Sequence, residues 1–199
     1  MGTGSGMVGR IGPGGRVHTL VLGGIRSGKS QYAESLLASA PRVSYVATAP
    51  ARRDDAEWSA RIRAHQRRRP ADWRTVECGA RPRALPRLLR QAGAGDSLLV
   101  DDLGGWVTAL HDAAGWRGPV AEGPLRELVD AIGTTRADIV LVSPEVGLTV
   151  VSENPAARRF TDVLGGVNQA VADACARVVL LVAGQSLWIK STSPTSLTP

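Results

Sequence analysis

The sequence predicts an α/β fold in which a mostly parallel sheet of about seven strands lies between layers of helices. Two observations carry this prediction. Short apolar segments typical of buried strands alternate with longer segments whose apolar residues recur at helical spacing. The first strand is followed by the glycine-rich stretch 23–30, Gly-Gly-Ile-Arg-Ser-Gly-Lys-Ser, and then by a helix. That order of strand, loop and helix indicates a P-loop NTPase-type three-layer sandwich.

Residues 23–30, the phosphate loop, predict a binding site for nucleotide phosphates. Glycines let the backbone curl so that successive N–H groups point inward, and the dipole of the next helix favours an anion there. Lys29 is expected to reach the outer phosphates, and the hydroxyl of Ser30 to bind Mg²⁺. A glycine-rich turn with an exposed lysine is the alternative, but the flanking elements favour a nucleotide. The candidate ligands are Gly23, Gly24, Ile25, Arg26, Ser27, Gly28, Lys29 and Ser30.

The rest of the chain continues the alternation of strands and helices. Further strands are predicted at 43–48, 73–78, 97–101 and 138–142, and a final antiparallel edge hairpin at 178–182 and 187–189. Helices are predicted around 54–69, 85–89, 106–110 and 125–132, with a long helix that begins at Asn154-Pro155 and a flexible loop over 111–123. Thr48-Ala49-Pro50 would end the second strand, where parallel sheets place ligands.

Composition narrows the possible function classes. With 199 residues, 43% of them hydrophobic, we expect one nucleotide-binding catalytic domain over 17–190, a disordered glycine-rich tail over 1–16 and a loose tail over 191–199. No apolar run is long enough to span a bilayer and the N-terminus lacks a signal-peptide core, so we expect a cytoplasmic protein without stable membrane insertion. The net charge of +6 suits nucleic acid or a triphosphate, but 4% aromatic residues disfavour a single-strand stacking platform.

Outside the phosphate loop, two features carry candidate chemistry. Asp101 follows an apolar strand and could hold Mg²⁺ or act as a base, with Asp102 as its rival. His65 shares a helix face with Trp58 and Ile62, so it is either a packed structural histidine or a nucleophile. An imidazole can attack phosphorus at neutral pH, and nearby cations would stabilise the developing charge.

Arginines are concentrated around His65. They form a solvated basic face, a nucleic-acid patch or a group that binds phosphates, and the phosphate loop favours the last interpretation. Between residues 52 and 69 there are seven of them: Arg52, Arg53, Arg61, Arg63, Arg67, Arg68 and Arg69.

Several motifs together resemble one known family, the bifunctional adenosylcobinamide kinase/adenosylcobinamide-phosphate guanylyltransferases of cobalamin biosynthesis. The resemblance covers residues 19–190. The phosphate loop is generic, whereas the segment around His65 and the Glu145-Val-Gly147 motif are more specific to the family. The motifs are residues 23–30, Tyr45-Val-Ala-Thr48, Arg61-Ile-Arg-Ala-His65, residues 69–77, Val100-Asp-Asp-Leu103 and Glu145-Val-Gly147.

The resemblance implies two reactions. The γ-phosphate of ATP or GTP first passes to the aminopropanol hydroxyl of adenosylcobinamide. GTP then guanylylates a histidine, here His65, with release of pyrophosphate, and the GMP moves to adenosylcobinamide phosphate to give adenosylcobinamide-GDP. Mg²⁺ at Ser30 and Asp101 and catalysis by His65 and Lys29 are implied. The nucleotide contacts implied are Gly23 to Ser30, Thr48, Ala49, Pro50, Gln66, Arg67, Arg68, Arg69, Glu77 and Asp101.

The resemblance also implies a homotrimer with the nucleotide near a subunit boundary, with adenosylcobinamide and its phosphate as partners and no nucleic acid. The chain departs from the family's usual sequence at two strand ends. Ser143-Pro144 replaces Thr-Asn, and a proline there removes a backbone donor. Asp102-Leu-Gly-Gly105 replaces a more usual Cys-Leu-Thr.

Three other functions stay open from the residues alone. The chain could be a P-loop small-molecule kinase without a covalent step, in which His65 is structural. It could instead be a nucleic-acid-binding ATPase that uses the arginine-rich helix, in which case it would bind DNA or RNA with a steep salt dependence. A catalytically silent relative is the third.

Overall fold

A sheet of seven strands forms the centre of the computed structural model, which describes residues 17–49, 67–116, 122–148, 150 and 152–191. The strands lie in the order β3-β2-β4-β5-β1-β6-β7. Each neighbouring pair is parallel except β6 and β7, which are antiparallel. The predicted α/β sheet with an antiparallel edge hairpin is therefore confirmed. The strands are β1 (His18–Gly23), β2 (Val43–Ala47), β3 (Arg74–Glu77), β4 (Ser97–Asp101), β5 (Asp138–Pro144), β6 (Arg177–Val182) and β7 (Gln185–Ser191).

Five helices connect these strands in the part of the chain that the structure describes: α1 (Lys29–Leu36), α2 (Ala84–Gln91), α3 (Leu103–Ala113), α4 (Glu122–Thr134) and α5 (Pro155–Ala174). The start of α5 follows the predicted cap. The Asn154 side chain accepts hydrogen bonds from the amides of Ala156 at 2.8 Å and Ala157 at 3.3 Å, and Pro155 opens the first turn. Most of the helix predicted at 54–69 lies outside the described residues.

The core lies on both faces of the sheet because neighbouring residues of a strand point to opposite sides. Leu20 of β1 belongs to the larger cluster, which side chains of α2, α3, α4 and α5 complete. Val21 belongs to the smaller cluster, in which Ala33 and Leu36 of α1 pack against β2, β4 and β5. Among the described helices, α1 alone covers this second face, which fixes the helix behind the phosphate loop against the centre of the sheet.

The prediction of a flexible loop over 111–123 is wrong at both ends. Helix α3 continues to Ala113, and α4 already begins at Glu122. The chain has no helix breaker until Gly115, which lies in the left-handed region at φ 65°. His111 is consequently buried, with its ring stacked on Trp116 at 4.6 Å. Residues 117–121 lie outside the described part.

Of the helices in the described ranges, none combines the length and the hydrophobicity that a membrane span requires.

Candidate nucleotide-binding site

The phosphate loop leaves the carboxyl end of β1 and turns directly into α1. A side chain at Gly23 would collide with Ser27 Oγ and would come within 2.8 Å of the Leu181 carbonyl oxygen. Arg26 and Gly28 lie in the left-handed region, with φ of 58° and 93°, and reverse the chain into the helix. The amide of Ser27 closes the turn on the carbonyl of Gly24 at 3.3 Å. The glycine spacing is thus required by the shape of the loop.

The β6–β7 turn supports this loop from outside. Its residues Ala183 and Gly184 have positive φ angles of 50° and 78°, the conformation that suits a tight hairpin. The Gly184 amide donates to the Ser27 carbonyl at 2.9 Å, and a Cβ on Gly28 would lie 3.5 Å from the Gly184 Cα. The edge hairpin therefore helps to fix the position of the phosphate loop.

Three predicted site residues come together at the start of α1. Lys29 donates from Nζ to the Gly24 carbonyl at 3.2 Å, so its ammonium lies over the loop. Ser30 Oγ donates a hydrogen bond at 3.4 Å to Oδ1 of Asp101, the last residue of β4. The N-terminus of α1 follows directly on the loop, and the positive end of a helix dipole favours an anion there, beside the Asp101 carboxylate.

The donor set of Ser30 and Asp101 fits Mg²⁺. Their facing atoms are a hydroxyl and a carboxylate oxygen, the hard ligands that this ion prefers. Elsewhere in the described ranges there is no group of three or more histidine, cysteine, aspartate or glutamate side chains that could hold a metal. Mg²⁺ in nucleotide sites is usually held by one or two protein ligands together with phosphate oxygens and water.

Tyr45 opens one of the motifs that carry the resemblance, but it was not predicted to be a site residue. Its hydroxyl donates to Asp101 Oδ2 at 3.0 Å, so the two carboxylate oxygens face Tyr45 and Ser30 respectively. Burial, and then the Asp101 carboxylate, raise the pKa of the Tyr45 phenol far above its usual value, although Arg69 opposes the shift. Tyr45 is therefore protonated and acts as a donor. Alternation along β2 places it on the face that α1 covers, but only the strand order shows that β4 is its neighbour.

Asp102, the rival of Asp101, has a different task. Its Oδ1 accepts a hydrogen bond from the Gly105 amide at 2.6 Å and caps α3. Burial and the Asp101 carboxylate raise its pKa to about 6. Thr48 lies beside both acids, since its hydroxyl donates to the Asp102 carbonyl and its amide to the Asp101 carbonyl. Asp101, rather than Asp102, is the carboxylate that contacts Ser30.

Residues 67–69, the arginine segment, lie against α1 and β2. Arg68 pairs with Glu34 of α1 through two hydrogen bonds, Nε to Oε2 at 3.3 Å and a terminal nitrogen to Oε1 at 3.1 Å. The guanidinium of Arg69 lies 3.5 Å from the centre of the Tyr45 ring. Of the predicted nucleotide contacts, Arg68 is thus joined to α1, which carries Ser30, and Arg69 lies against Tyr45, whose hydroxyl contacts Asp101. Glu34 was not predicted as a site residue.

Other predicted contacts lie further away or cannot be placed. Arg67 is exposed, and Glu77 is exposed at the end of β3, which β2, β4 and β5 separate from β1. Ala49 follows Thr48 and packs on the start of α3, where a Cβ on Gly105 would meet it at 3.0 Å. Pro50, His65 and Gln66 lie outside the described residues.

The segment after β5 lies beside the loop on its other side. The Glu145 amide donates to the Gly23 carbonyl at 3.1 Å, and Glu145 Oε1 accepts from the Gly147 amide at 2.6 Å. Asn168 of α5 holds this strand end by accepting from the Ser143 hydroxyl at 2.6 Å and donating to the Pro144 carbonyl at 3.0 Å. The Glu145-Val-Gly147 motif is therefore fixed next to the phosphate loop.

Known proteins share these features. A family model described as "Cobinamide kinase / cobinamide phosphate guanyltransferase" matches residues 19–189. The bifunctional adenosylcobalamin biosynthesis protein CobP of Pseudomonas aeruginosa is 44% identical over 173 residues, which cover 86% of this chain and 96% of that protein. The protein CobU of Salmonella typhimurium, with the same description, is 39% identical over 183 residues, 86% of this chain and 98% of that protein.

A solved structure shares the fold at much lower sequence similarity. An ATPase from the type III secretion system of pathogenic bacteria aligns with a TM-score of 0.51 and 10% identity, over 83% of this chain and 51% of that chain, a likeness of fold alone. The family assignment depends instead on the sequence match, which covers the phosphate loop, Asp101 and Glu145. The chain belongs to the cobinamide kinase/cobinamide phosphate guanyltransferase family.

Proposed function

We propose that this protein phosphorylates adenosylcobinamide and then transfers GMP from GTP, through a covalent intermediate on His65, to adenosylcobinamide phosphate. The observation that supports this proposal is that helix α1 links the phosphate loop to the arginine segment. Its first residues are Lys29 and Ser30 of the phosphate loop, and one turn later Glu34 holds Arg68 of the arginine segment.

Triphosphate binding follows from the loop. The amides of residues 23–30 and Lys29 would surround the β- and γ-phosphates, and Ser30 and Asp101 would hold Mg²⁺, which supplies neutralisation of phosphate charge when bound. The arginine segment, on the β2 side, would add positive charge near the α-phosphate. Thr48, Ala49, Pro50, Gln66 and Glu77 are proposed contacts of the remaining nucleotide.

The kinase step needs positioning more than covalent participation of the protein. The aminopropanol hydroxyl oxygen of adenosylcobinamide attacks the γ-phosphorus of ATP or GTP and loses its proton to water. The bond from the γ-phosphorus to its bridging oxygen breaks, and the nucleoside diphosphate leaves. Lys29 and the loop amides stabilise the charge that develops on the β-phosphate of the leaving nucleoside diphosphate.

In the guanylyl transfer, a neutral imidazole nitrogen of His65 attacks the α-phosphorus of GTP. A P–N bond forms, the bond from the α-phosphorus to its bridging oxygen breaks, and pyrophosphate leaves. A phosphate oxygen of adenosylcobinamide phosphate then attacks the same phosphorus, the P–N bond breaks, and the imidazole is regenerated. The covalent step divides a transfer between two bulky anions into two displacements.

We further propose a homotrimer, acting in the cytoplasm where ATP and GTP are supplied, with the site at a subunit boundary and residues 17–190 as its catalytic domain. Apolar side chains near the loop support a boundary there. Ile25 at the loop's tip is 91% exposed, and Leu148 and Val150 beyond the adjacent β5 are 81% and 94% exposed. Light scattering of the purified protein measures the subunit number, and a monomer with full activity would contradict the trimer.

Intact-mass spectrometry after incubation with GTP and Mg²⁺ tests the covalent step. Wild type is expected to gain the mass of one GMP, and His65→Ala, purified in the same way, is expected to gain none. A P-loop kinase without a covalent step would phosphorylate adenosylcobinamide while neither protein gains mass.

A further inference from the structure

The arginine segment is attached to the phosphate-loop helix by an ion pair. Glu34 lies four residues after Ser30, so the two side chains are one helical turn and about 6 Å apart on the same face of α1. The Glu34 side chain is only 11% exposed, and its carboxylate receives both hydrogen bonds from Arg68. A bidentate pair of this kind fixes direction as well as distance.

A second attachment runs through β2. The ring of Tyr45 supports the guanidinium of Arg69 at 3.5 Å, and its hydroxyl contacts Asp101, which faces Ser30. Arg69 also donates to the Thr75 hydroxyl at 3.5 Å. Arg68 is thus held by α1 and Arg69 by β2. Ser30 belongs to α1, and Tyr45 of β2 contacts the Asp101 carboxylate that faces the Ser30 hydroxyl.

These contacts limit where the preceding residues can lie. His65 is three residues before Arg68, and an extended chain spans at most about 3.6 Å per residue, so the two Cα atoms lie within about 11 Å of each other. An anchor at Arg68 therefore limits how far residue 65 can lie from α1.

We propose that Glu34 and the aromatic ring of Tyr45 are positioning residues for the guanylyl transfer. They hold the arginine segment beside α1, so that the attacking imidazole approaches the α-phosphorus of a GTP bound in the phosphate loop. This inference rests on the proposed function, because it assumes that His65 is the nucleophile. Neither Glu34 nor the ring of Tyr45 touches the reacting atoms in this account.

The test is the single-turnover rate of guanylylation at saturating GTP and Mg²⁺, followed by intact mass, together with the Kd for GTP. Glu34→Ala and Tyr45→Leu are expected to slow adduct formation about 10- to 100-fold, because small displacements of a reacting group have effects of this size. The Kd for GTP is expected to change less than about threefold, since the phosphate loop is intact.

Matched controls separate positioning from general destabilisation. Glu127→Ala removes another arginine–glutamate pair, with Arg83 at 3.2 Å between α2 and α4, and is expected to react at the wild-type rate. Tyr45→Phe keeps the ring under Arg69 and removes only the hydroxyl, so at saturating Mg²⁺ it is expected to react faster than Tyr45→Leu, which loses both. Glu34→Gln keeps the shape of the side chain without its charge, and it serves in place of Glu34→Ala if that variant does not fold.

The outcomes distinguish the two proposals. If wild type gains no GMP, the proposed covalent function is wrong and this inference falls with it. If wild type is guanylylated and the folded Glu34 and Tyr45→Leu variants react within about threefold of it, the positioning role alone is overturned. Slow adduct formation with unchanged GTP affinity in both variants, and a normal rate in Glu127→Ala, supports it.

Discussion

Asp101 Oδ2 accepts a hydrogen bond from the Tyr45 hydroxyl at 3.0 Å, while Oδ1 of the same carboxylate faces the Ser30 hydroxyl at 3.4 Å. The first contact fixes the plane of the carboxylate and leaves the second oxygen directed at the phosphate loop. Because burial keeps the Tyr45 phenol protonated, the contact persists over the whole physiological pH range. The orientation of the proposed Mg²⁺ ligand thus depends on a residue of a neighbouring strand.

Replacing Tyr45 by phenylalanine should therefore raise the Mg²⁺ concentration that guanylylation requires. A hydrogen bond to a charged group contributes about 1.5 kcal/mol, so the Mg²⁺ concentration for half-maximal guanylylation is expected to rise about tenfold. Initial rates in a Mg²⁺ titration at saturating GTP measure it. Tyr32→Phe is the control, because the buried Tyr32 hydroxyl has no hydrogen-bond partner among the described residues. Equal midpoints for Tyr45→Phe and wild type would contradict the proposed orientation of Asp101.

Asp102 should make stability depend on pH in an unusual direction. Burial and Asp101 raise its pKa from 3.8 to about 6, so the folded state favours the protonated form. Its contribution to stability is fully present below pH 3.8 and is lost as the pH rises through 6. Asp102→Asn keeps the acceptor for the Gly105 amide but cannot ionise. In chelator, the gain in unfolding free energy of this variant over wild type is expected to grow by about 1 kcal/mol between pH 5 and pH 8.

Urea denaturation of wild type and Asp102→Asn at both pH values measures this gain, and ionisable groups distant from Asp102 cancel in the difference. A gain that is constant with pH, or that shrinks as the pH rises, would show that burial does not raise the pKa of Asp102 in the folded state.

Gly23→Ala should damage the phosphate loop. The added methyl group would collide with Ser27 Oγ and lie 2.8 Å from the Leu181 carbonyl oxygen, so the loop or β6 must move. We expect a loss of about 1–3 kcal/mol in unfolding free energy and a rise of about tenfold or more in the Kd for GTP. Gly24→Ala is the stability control, since a Cβ there meets no atom within 4 Å. Equal stabilities of the two variants would contradict the loop geometry.

Gly104 at the start of α3 lies close to Pro144 at the end of β5. A Cβ on Gly104 would lie 3.0 Å from Pro144 Cγ, so the proline ring occupies the space that a side chain would need. Gly104→Ala is expected to destabilise wild type by about 1 kcal/mol or more, and to do so less by about 1 kcal/mol in a Pro144→Ala background. A double-mutant cycle in urea measures the coupling. Gly133→Ala, in open space on α4, should combine additively with Pro144→Ala, and additivity for Gly104→Ala would refute the contact.

Features with a local cause were predictable from the sequence. The order of β1, phosphate loop and α1 follows from an apolar run, glycine spacing and helical periodicity, and the start of α5 follows from Asn154 and Pro155. The loop predicted at 111–123 failed because glycine and proline content was given more weight than the continuous helix formers up to Ala113.

The partners of site side chains were not predictable in the same way. Tyr45 contacts Asp101 because β2 lies beside β4 in the sheet. Glu34 contacts Arg68 because α1 crosses the face of the sheet that β2 and β4 share. Alternation along a strand gives the face of a residue but not the neighbouring strand. The roles of His65 and Lys29 stay predictions, and His65 lies outside the described residues.

The proposed transfer of GMP through His65 is open to a chase experiment. Protein guanylylated with GTP is freed of nucleotide and mixed with adenosylcobinamide phosphate, and both protein mass and product are followed in time. The GMP mass is expected to disappear from the protein as one equivalent of adenosylcobinamide-GDP appears, at a rate no slower than steady-state turnover. An adduct that persists while turnover with fresh GTP proceeds would contradict it.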